Sequence, residues 1–176
     1  SGAVHEDGLA DSVDGIGGGR TQSRALEIMK DSRLGTYGTL ALVIALALKA
    51  TTLSLLAATT VPLALIAGHG LSRLSSVLVI ATSTYVRGEG TGKPVAGGIT
   101  KVGLLIAVLT GGAVVAAWLV WQTPIALAGA LGGLFVGHVS MRLFFERKLR
   151  GYTGDSLGAV QQASVIGFYL GLLICL

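Results

Sequence analysis

Charge is what this chain has least of. Its 176 residues include 13 Lys+Arg and 9 Asp+Glu, only 12% of the total. That is about half the roughly 25% usual in soluble domains. A soluble enzyme of this size would need more charge to keep its surface in water, so that class is set aside. Disorder is excluded from the other side: 52% of the residues are hydrophobic, and a disordered chain needs low hydrophobicity and high charge. A single cysteine, Cys175, rules out an intrachain disulfide framework and a cysteine-based zinc site. Aromatics reach only 6%, while glycine supplies 27 residues. Thin, Gly- and Ala-rich helices packed closely inside a membrane fit that balance. Residues 1–37 hold no apolar run of the signal-peptide kind, and none is expected there.

What the chain does have is a series of long apolar segments. They cover 38–56, 61–86, 102–121, 125–141 and 159–176. Each reaches or approaches the ~20 residues that cross a ~30 Å hydrocarbon core. The Gly68-His69-Gly70 run could interrupt the second. The basic residues fall between the spans on one side. Arg20, Arg24, Lys30 and Arg33 precede the first span; Arg87, Lys93 and Lys101 follow the second; Arg142, Arg147, Lys148 and Arg150 follow the fourth. The opposite turns, 57–60 and 122–123, carry no charge. The positive-inside rule places the basic side in the cytoplasm. The expected architecture is an all-α, polytopic integral membrane helical bundle of about five spans, two hairpins and a last span. A short acidic helical hairpin leads it, and the whole of 1–176 is treated as one domain (1–37 hairpin, 38–176 spans).

The remaining charges are candidates for chemistry. Asp7, Asp11 and Asp14 are spaced i, i+4, i+7, which puts them on one helix face. Like charges there repel, and a divalent cation reverses the sign. Mg²⁺ takes carboxylate oxygen and keeps positions for water and phosphate. The plain alternative is a solvated acidic face. Gly15 and Gly17, Gly18 and Gly19 end that helix, and a second is expected around 23–33. Within it Glu27 is assigned to Arg24 or Lys30. Asp31 lies in Lys30-Asp31-Ser32-Arg33, at the entrance to the first span, where a hairpin could bring it toward the three aspartates.

Lys49 and Arg73 sit near mid-depth of the first two spans. Such a charge costs about 2.5–3.5 kcal/mol and needs a cavity or a partner. An anionic ligand, or an acid from the hairpin, is the natural one; snorkelling is the alternative for Lys49. His69 and His138 are taken as packing residues. The Gly-rich basic loop Arg87-Gly88-Glu89-Gly90-Thr91-Gly92-Lys93-Pro94 suits a phosphate, without the spacing of a P-loop. Asp155, in Thr153-Gly154-Asp155-Ser156, is either a further site carboxylate or, with Ser156, the cap of the last span. Carboxylates for a metal beside Lys and Arg in a membrane cavity are the equipment for transferring a phosphoryl-containing group.

The run His5-Glu6-Asp7-Gly8-Leu9-Ala10-Asp11-Ser12-Val13-Asp14-Gly15, followed by Glu27-Ile28-Met29-Lys30-Asp31-Ser32-Arg33-Leu34-Gly35, closely resembles the cobalamin synthase family. Tyr85-Val86-Arg87-Gly88-Glu89-Gly90 and Thr153-Gly154-Asp155-Ser156-Leu157-Gly158-Ala159 resemble further motifs in the same order. The resemblance implies a Mg²⁺-dependent enzyme of the inner membrane. Such an enzyme joins α-ribazole or its 5′-phosphate to adenosylcobinamide-GDP and releases GMP. It implies Asp7, Asp11 and Asp14 on the metal, with Asp31 as a further ligand or the base. Lys49 and Arg73 would contact phosphates, and Lys30, Arg33, Arg87 and Asp155 would bind substrate. The bilayer is a partner, nucleic acid is not, and homo-oligomer formation stays open. Family members carry hydrophobic segments before the acidic motif, so N-terminal spans are expected to be missing from a chain that starts at Ser1-Gly2-Ala3-Val4.

Two rival classes remain. A CDP-alcohol phosphotransferase motif, Asp-Gly-x-x-Ala-Arg, would place Ala where Asp11 stands and Arg where Ser12 stands. A cation-coupled transporter would need an inverted repeat between the hairpins, and none is visible.

Overall fold

The computed structural model describes residues 2–87, 97–121 and 123–176. Seven helices follow one another among them: α1 (Val4–Gly18), α2 (Gln22–Ile28), α3 (Thr36–Leu55), α4 (Val61–Thr82), α5 (Lys101–Trp121), α6 (Pro124–Leu149) and α7 (Gly154–Ile174). The described residues form no β-strand, only an isolated bridge between Tyr85 and Tyr152. Helices α3 to α7 each have the length and hydropathy to cross a membrane. At ~1.5 Å per residue, about 20 residues cover the hydrocarbon core. The chain is an all-α integral membrane protein with five spans, as its apolar segments imply.

Four boundaries differ from the sequence expectation, each for a local reason. The second helix stops at Ile28. Beyond it Asp31 Oδ1 accepts the Arg33 backbone N–H, a turn that competes with helix. Helix α4 ends at Thr82, because Val86 N–H and Tyr152 N–H go instead to Tyr152 O and Thr84 O. Helix α6 continues eight residues past Met141. There the Arg142–Glu146 pair at 3.1 Å supports the exposed face, and Phe145 and Leu149 are fully buried on the other. Helix α7 starts at Gly154, capped by Thr153 in a reciprocal box with Ser156. Thr153 therefore takes the capping role considered for Asp155 and Ser156.

Helix α4 runs unbroken through Gly68-His69-Gly70. A Cβ on Gly68 would lie 2.7 Å from the Tyr169 ring, so this glycine admits α7 rather than breaking a helix. Helix α7 is the hub, packed against α6, α1, α4 and α3. The α6–α7 seam is built on small residues: Gly129, Gly133 and Gly137 face Gly171, Gly167 and Ala163, backbone against backbone. Without a hydrophobic force between spans in lipid, such close approach supplies dispersion in its place. The apolar side chains of α3 and α5 point outward, as lipid-facing spans require.

Candidate active site

Helix α1 has 15 residues and is not among the five membrane-length helices. It runs antiparallel to α3 and α7. Its C-terminal half meets the start of α3 through Asp14, and its N-terminal half meets Lys49 and Gln162 through Glu6. Glycine makes the approach possible. A Cβ on Gly8 would meet the Asp155 carbonyl at 2.7 Å, and one on Gly158 would meet the His5 carbonyl at 3.0 Å. This docking sorts the acids of the N-terminal segment into different jobs.

Asp7 and Asp11 face a cavity of about 370 Å³ that they line with Val4, Met29, Lys30, Arg87, Gly154 and Asp155. Burial is the main reason that the Asp11 carboxyl is pushed up to about 7, and the nearby Asp155 and Asp7 charges add to it. Arg87 is the counter-charge, with Nη1 2.8 Å from Asp155 Oδ2 and side chains 8% and 13% exposed. Its Nε and Nη2 are buried and have no hydrogen-bond partner among the described residues. Unpaired buried donors are costly, so among the described residues this guanidinium has capacity left for an anion.

Asp14 does something else. Its Oδ2 accepts the Gly35 N–H and its Oδ1 the Gly38 N–H, each at 2.8 Å. It caps α3, which has no side-chain cap of its own. Gly35 and Gly38 are required there, because a Cβ on either would run into this carboxylate. Asp31 forms an ion pair with Arg33 at 2.6 Å, and the hydrogen bonds from Arg33 hold its carboxyl down at about 2. Asp31 and Arg33 share a separate groove with Asp14. Glu27 pairs with Arg24 at 2.7 Å, as assigned from spacing. Among the described residues no three His, Cys, Asp or Glu side chains form a ready-made metal cluster.

The two mid-span cations also part company. Lys49 Nζ donates to Glu6 Oε1 at 3.1 Å and to Gln162 Oε1 at 2.8 Å. Its partner is thus an acid of the N-terminal segment. From Gln162 a hydrogen-bonded chain continues through Gln161 to Ser72. Among the described residues Arg73 donates only to the His69 carbonyl of its own helix. It lines a cavity of about 270 Å³ with Val4, His5, Ser76, Gly154, Leu157 and Gly158. Glu6, Gln161 and Gln162 were not singled out from the sequence. The adjacent glutamines in an otherwise apolar last span were the available signal, since amides at that depth need partners. Of the Arg87 loop, residues 88–94 lie outside the described residues.

The fold and site define the class as a polytopic helical membrane protein with carboxylates and a buried guanidinium around one cavity. Comparison with known proteins gives the family. Residues 1–173 match the cobalamin-5-phosphate synthase family. The adenosylcobinamide-GDP ribazoletransferase of Shewanella halifaxensis is 47% identical over 181 residues, covering 99% of this chain and 68% of that protein. Its namesake in Shewanella woodyi is 45% identical over 184 residues (98% and 68%), and that of Polaromonas sp. 38% over 194 (100% and 69%). No solved structure matches. The chain belongs to the cobalamin-5-phosphate synthase family, a family of transferases, as the acidic motif pair implied.

Proposed function

We propose that this protein is a Mg²⁺-dependent adenosylcobinamide-GDP ribazoletransferase of the inner membrane, with its site toward the cytoplasm. It joins α-ribazole or α-ribazole 5′-phosphate to adenosylcobinamide-GDP and releases GMP. The observation that carries the chemistry is the Arg87 guanidinium, buried beside Asp155 with two donors that meet no partner among the described residues, in a cavity that Asp7 and Asp11 also line.

The donor set fits magnesium. Asp7 and Asp11 place carboxylate oxygens one helical turn apart in one cavity, the hard donors that a dication takes once they are ionised. Asp7 and Asp11 would hold it, while Asp14 contributes by fixing α3 against α1. When bound, Mg²⁺ would neutralise diphosphate oxygens.

The protein's own groups do the rest. Arg87 and Lys30 bind the GDP-bearing diphosphate and stabilise charge that builds on it. Asp155 adjoins Gly154, which lines both this cavity and the one beside Arg73. An acceptor hydroxyl at that junction attacks the phosphorus that carries cobinamide. The bond to the GMP oxygen breaks, and a carboxylate oxygen of Asp155 takes the hydroxyl proton. Asp31 would serve as base only if its Arg33 pair opened. Lys49, already paired, positions α1 rather than meeting phosphate.

The assay is GMP release by the purified protein from adenosylcobinamide-GDP. Release should require both an α-ribazole acceptor and Mg²⁺, and should stop in EDTA. Release independent of the acceptor would defeat the transferase reading.

A further inference from the structure

Lys49 and Arg73 lie in successive spans, and among the described residues only Lys49 has an acid beside it. Lys49 has Glu6 and Gln162. Arg73 is about 14 Å from the end of α4 at Thr82, at ~1.5 Å per residue. Among the described residues no carboxylate pairs with it, and its one hydrogen bond goes to its own helix. A guanidinium has five N–H donors, so most of its capacity is unused. An uncompensated charge at such depth costs about 2.5–3.5 kcal/mol, a cost that a bound anion would offset.

The Arg73 cavity is also not isolated. Val4 and Gly154 line both it and the carboxylate cavity. Alone, at about 270 Å³ and 370 Å³, the two stand at the lower end of the ~300–1,000 Å³ of ligand pockets. With Val4 and Gly154 in both linings, the two lie side by side. Along α1, His5 in one wall and Asp11 in the other are about 9 Å apart at ~1.5 Å per residue. That span is comparable with a sugar ring and its substituents. Ser76 already donates its hydroxyl to the Leu157 carbonyl, which leaves Arg73 as the charged donor of this chamber, with the His5 ring beside it.

We propose that the Arg73 cavity is a second anion subsite, which binds the non-reacting phosphate monoester of a phosphorylated acceptor while the reacting diphosphate occupies the carboxylate cavity. This rests on the transferase reading above and adds to it a residue that selects the phosphorylated acceptor over the free nucleoside. The planar guanidinium suits two phosphate oxygens at once, so charge alone should not replace it.

The test compares kcat/KM for α-ribazole 5′-phosphate with that for α-ribazole in the purified protein, in phospholipid-free maltoside detergent. In R73Q the ratio of the two should fall at least tenfold, through KM of the phosphorylated acceptor, and in R73K it should fall by less. A ratio that does not move, or a loss shared equally by both acceptors, overturns the subsite. Calorimetric binding of α-ribazole 5′-phosphate in EDTA keeps the test separate from catalysis. Binding that survives D11N and is lost in R73Q supports the subsite; no binding to the unaltered protein overturns it. GMP release that fails with either acceptor would instead defeat the transferase reading and leave the binding result to decide the subsite. Repetition in phosphatidylglycerol nanodiscs separates the sources of phosphate. Selectivity that persists there supports the acceptor phosphate, and selectivity abolished by the lipid identifies a headgroup as the occupant and overturns the proposal.

Discussion

Helix α7 has two glycine-lined seams, and they serve opposite ends. Against α6, Gly167 and Gly171 let backbones touch, and the interface is apolar. Against α1, Gly158 and the facing Gly8 allow an equally close approach. That seam instead brings together Asp7, Asp11 and Asp155, with Arg87 as their counter-charge. One seam has nothing left to satisfy. The other keeps repulsion and orphaned donors, which stability alone would remove. The contrast separates what holds the spans together from what the protein does with them.

The largest expected effect falls on the dry seam. Gly133→Leu or Gly167→Leu must push backbone from backbone, and a loss above about 4 kcal/mol is expected. The measurement is the yield of monodisperse protein and its melting temperature in detergent. Gly132→Ala on the same helix, where an added Cβ meets nothing within 4 Å, should behave as wild type. If both are tolerated, close packing does not hold this seam. The polar seam should respond the other way. Asp11→Asn removes a half-buried charge that Asp155 and Asp7 crowd, so GMP release should fall on the order of 10²-fold while the melting temperature holds or rises. A parallel loss of both would mean that Asp11 serves the fold.

Next in size is the Glu6–Lys49 pair, with side chains only 26% and 15% exposed. Lys49→Met alone strands Glu6, at a cost on the order of 3 kcal/mol. The double change with Glu6→Met should recover most of it in thermal unfolding. A milder effect is expected with pH. The Asp11 carboxyl titrates at about 7 when folded, against ~3.9 for a free aspartate. The folded state thus binds more protons between about pH 4 and 7, and this group's contribution to stability falls as pH rises through that window. Melting temperatures across it should flatten in Asp11→Asn, and Mg²⁺ should bind more tightly as pH rises through 7. The smallest effect belongs to Asp31→Asn. It opens only an exposed pair with Arg33, and the melting temperature should not move.

How much of this was visible in the chain can be argued residue by residue. The spans were, because hydrophobic length is a local property. The Arg24–Glu27 pair was too, because i, i+3 neighbours meet on any helix. The three-aspartate face was only partly visible. Spacing places Asp14 beside Asp7 and Asp11, yet it carries no information on the Gly35 and Gly38 amides that take both of its oxygens. Glu6 was passed over because its partners, Lys49 and Gln162, lie 43 and 156 residues away.

Composition and order along the chain therefore settled the solvent, the number of apolar spans and the family. These depend on transfer free energies and short motifs that are summed locally. The antiparallel docking of α1 between α3 and α7 decided the rest. It made Asp14 a cap and Glu6 an ion-pair partner. It left Asp7 and Asp11 facing Asp155 and Arg87, and it left Arg73 without an acid among the described residues. A charge takes its role from whatever groups a neighbouring helix brings within a few ångströms, and only the packed bundle determines which groups those are.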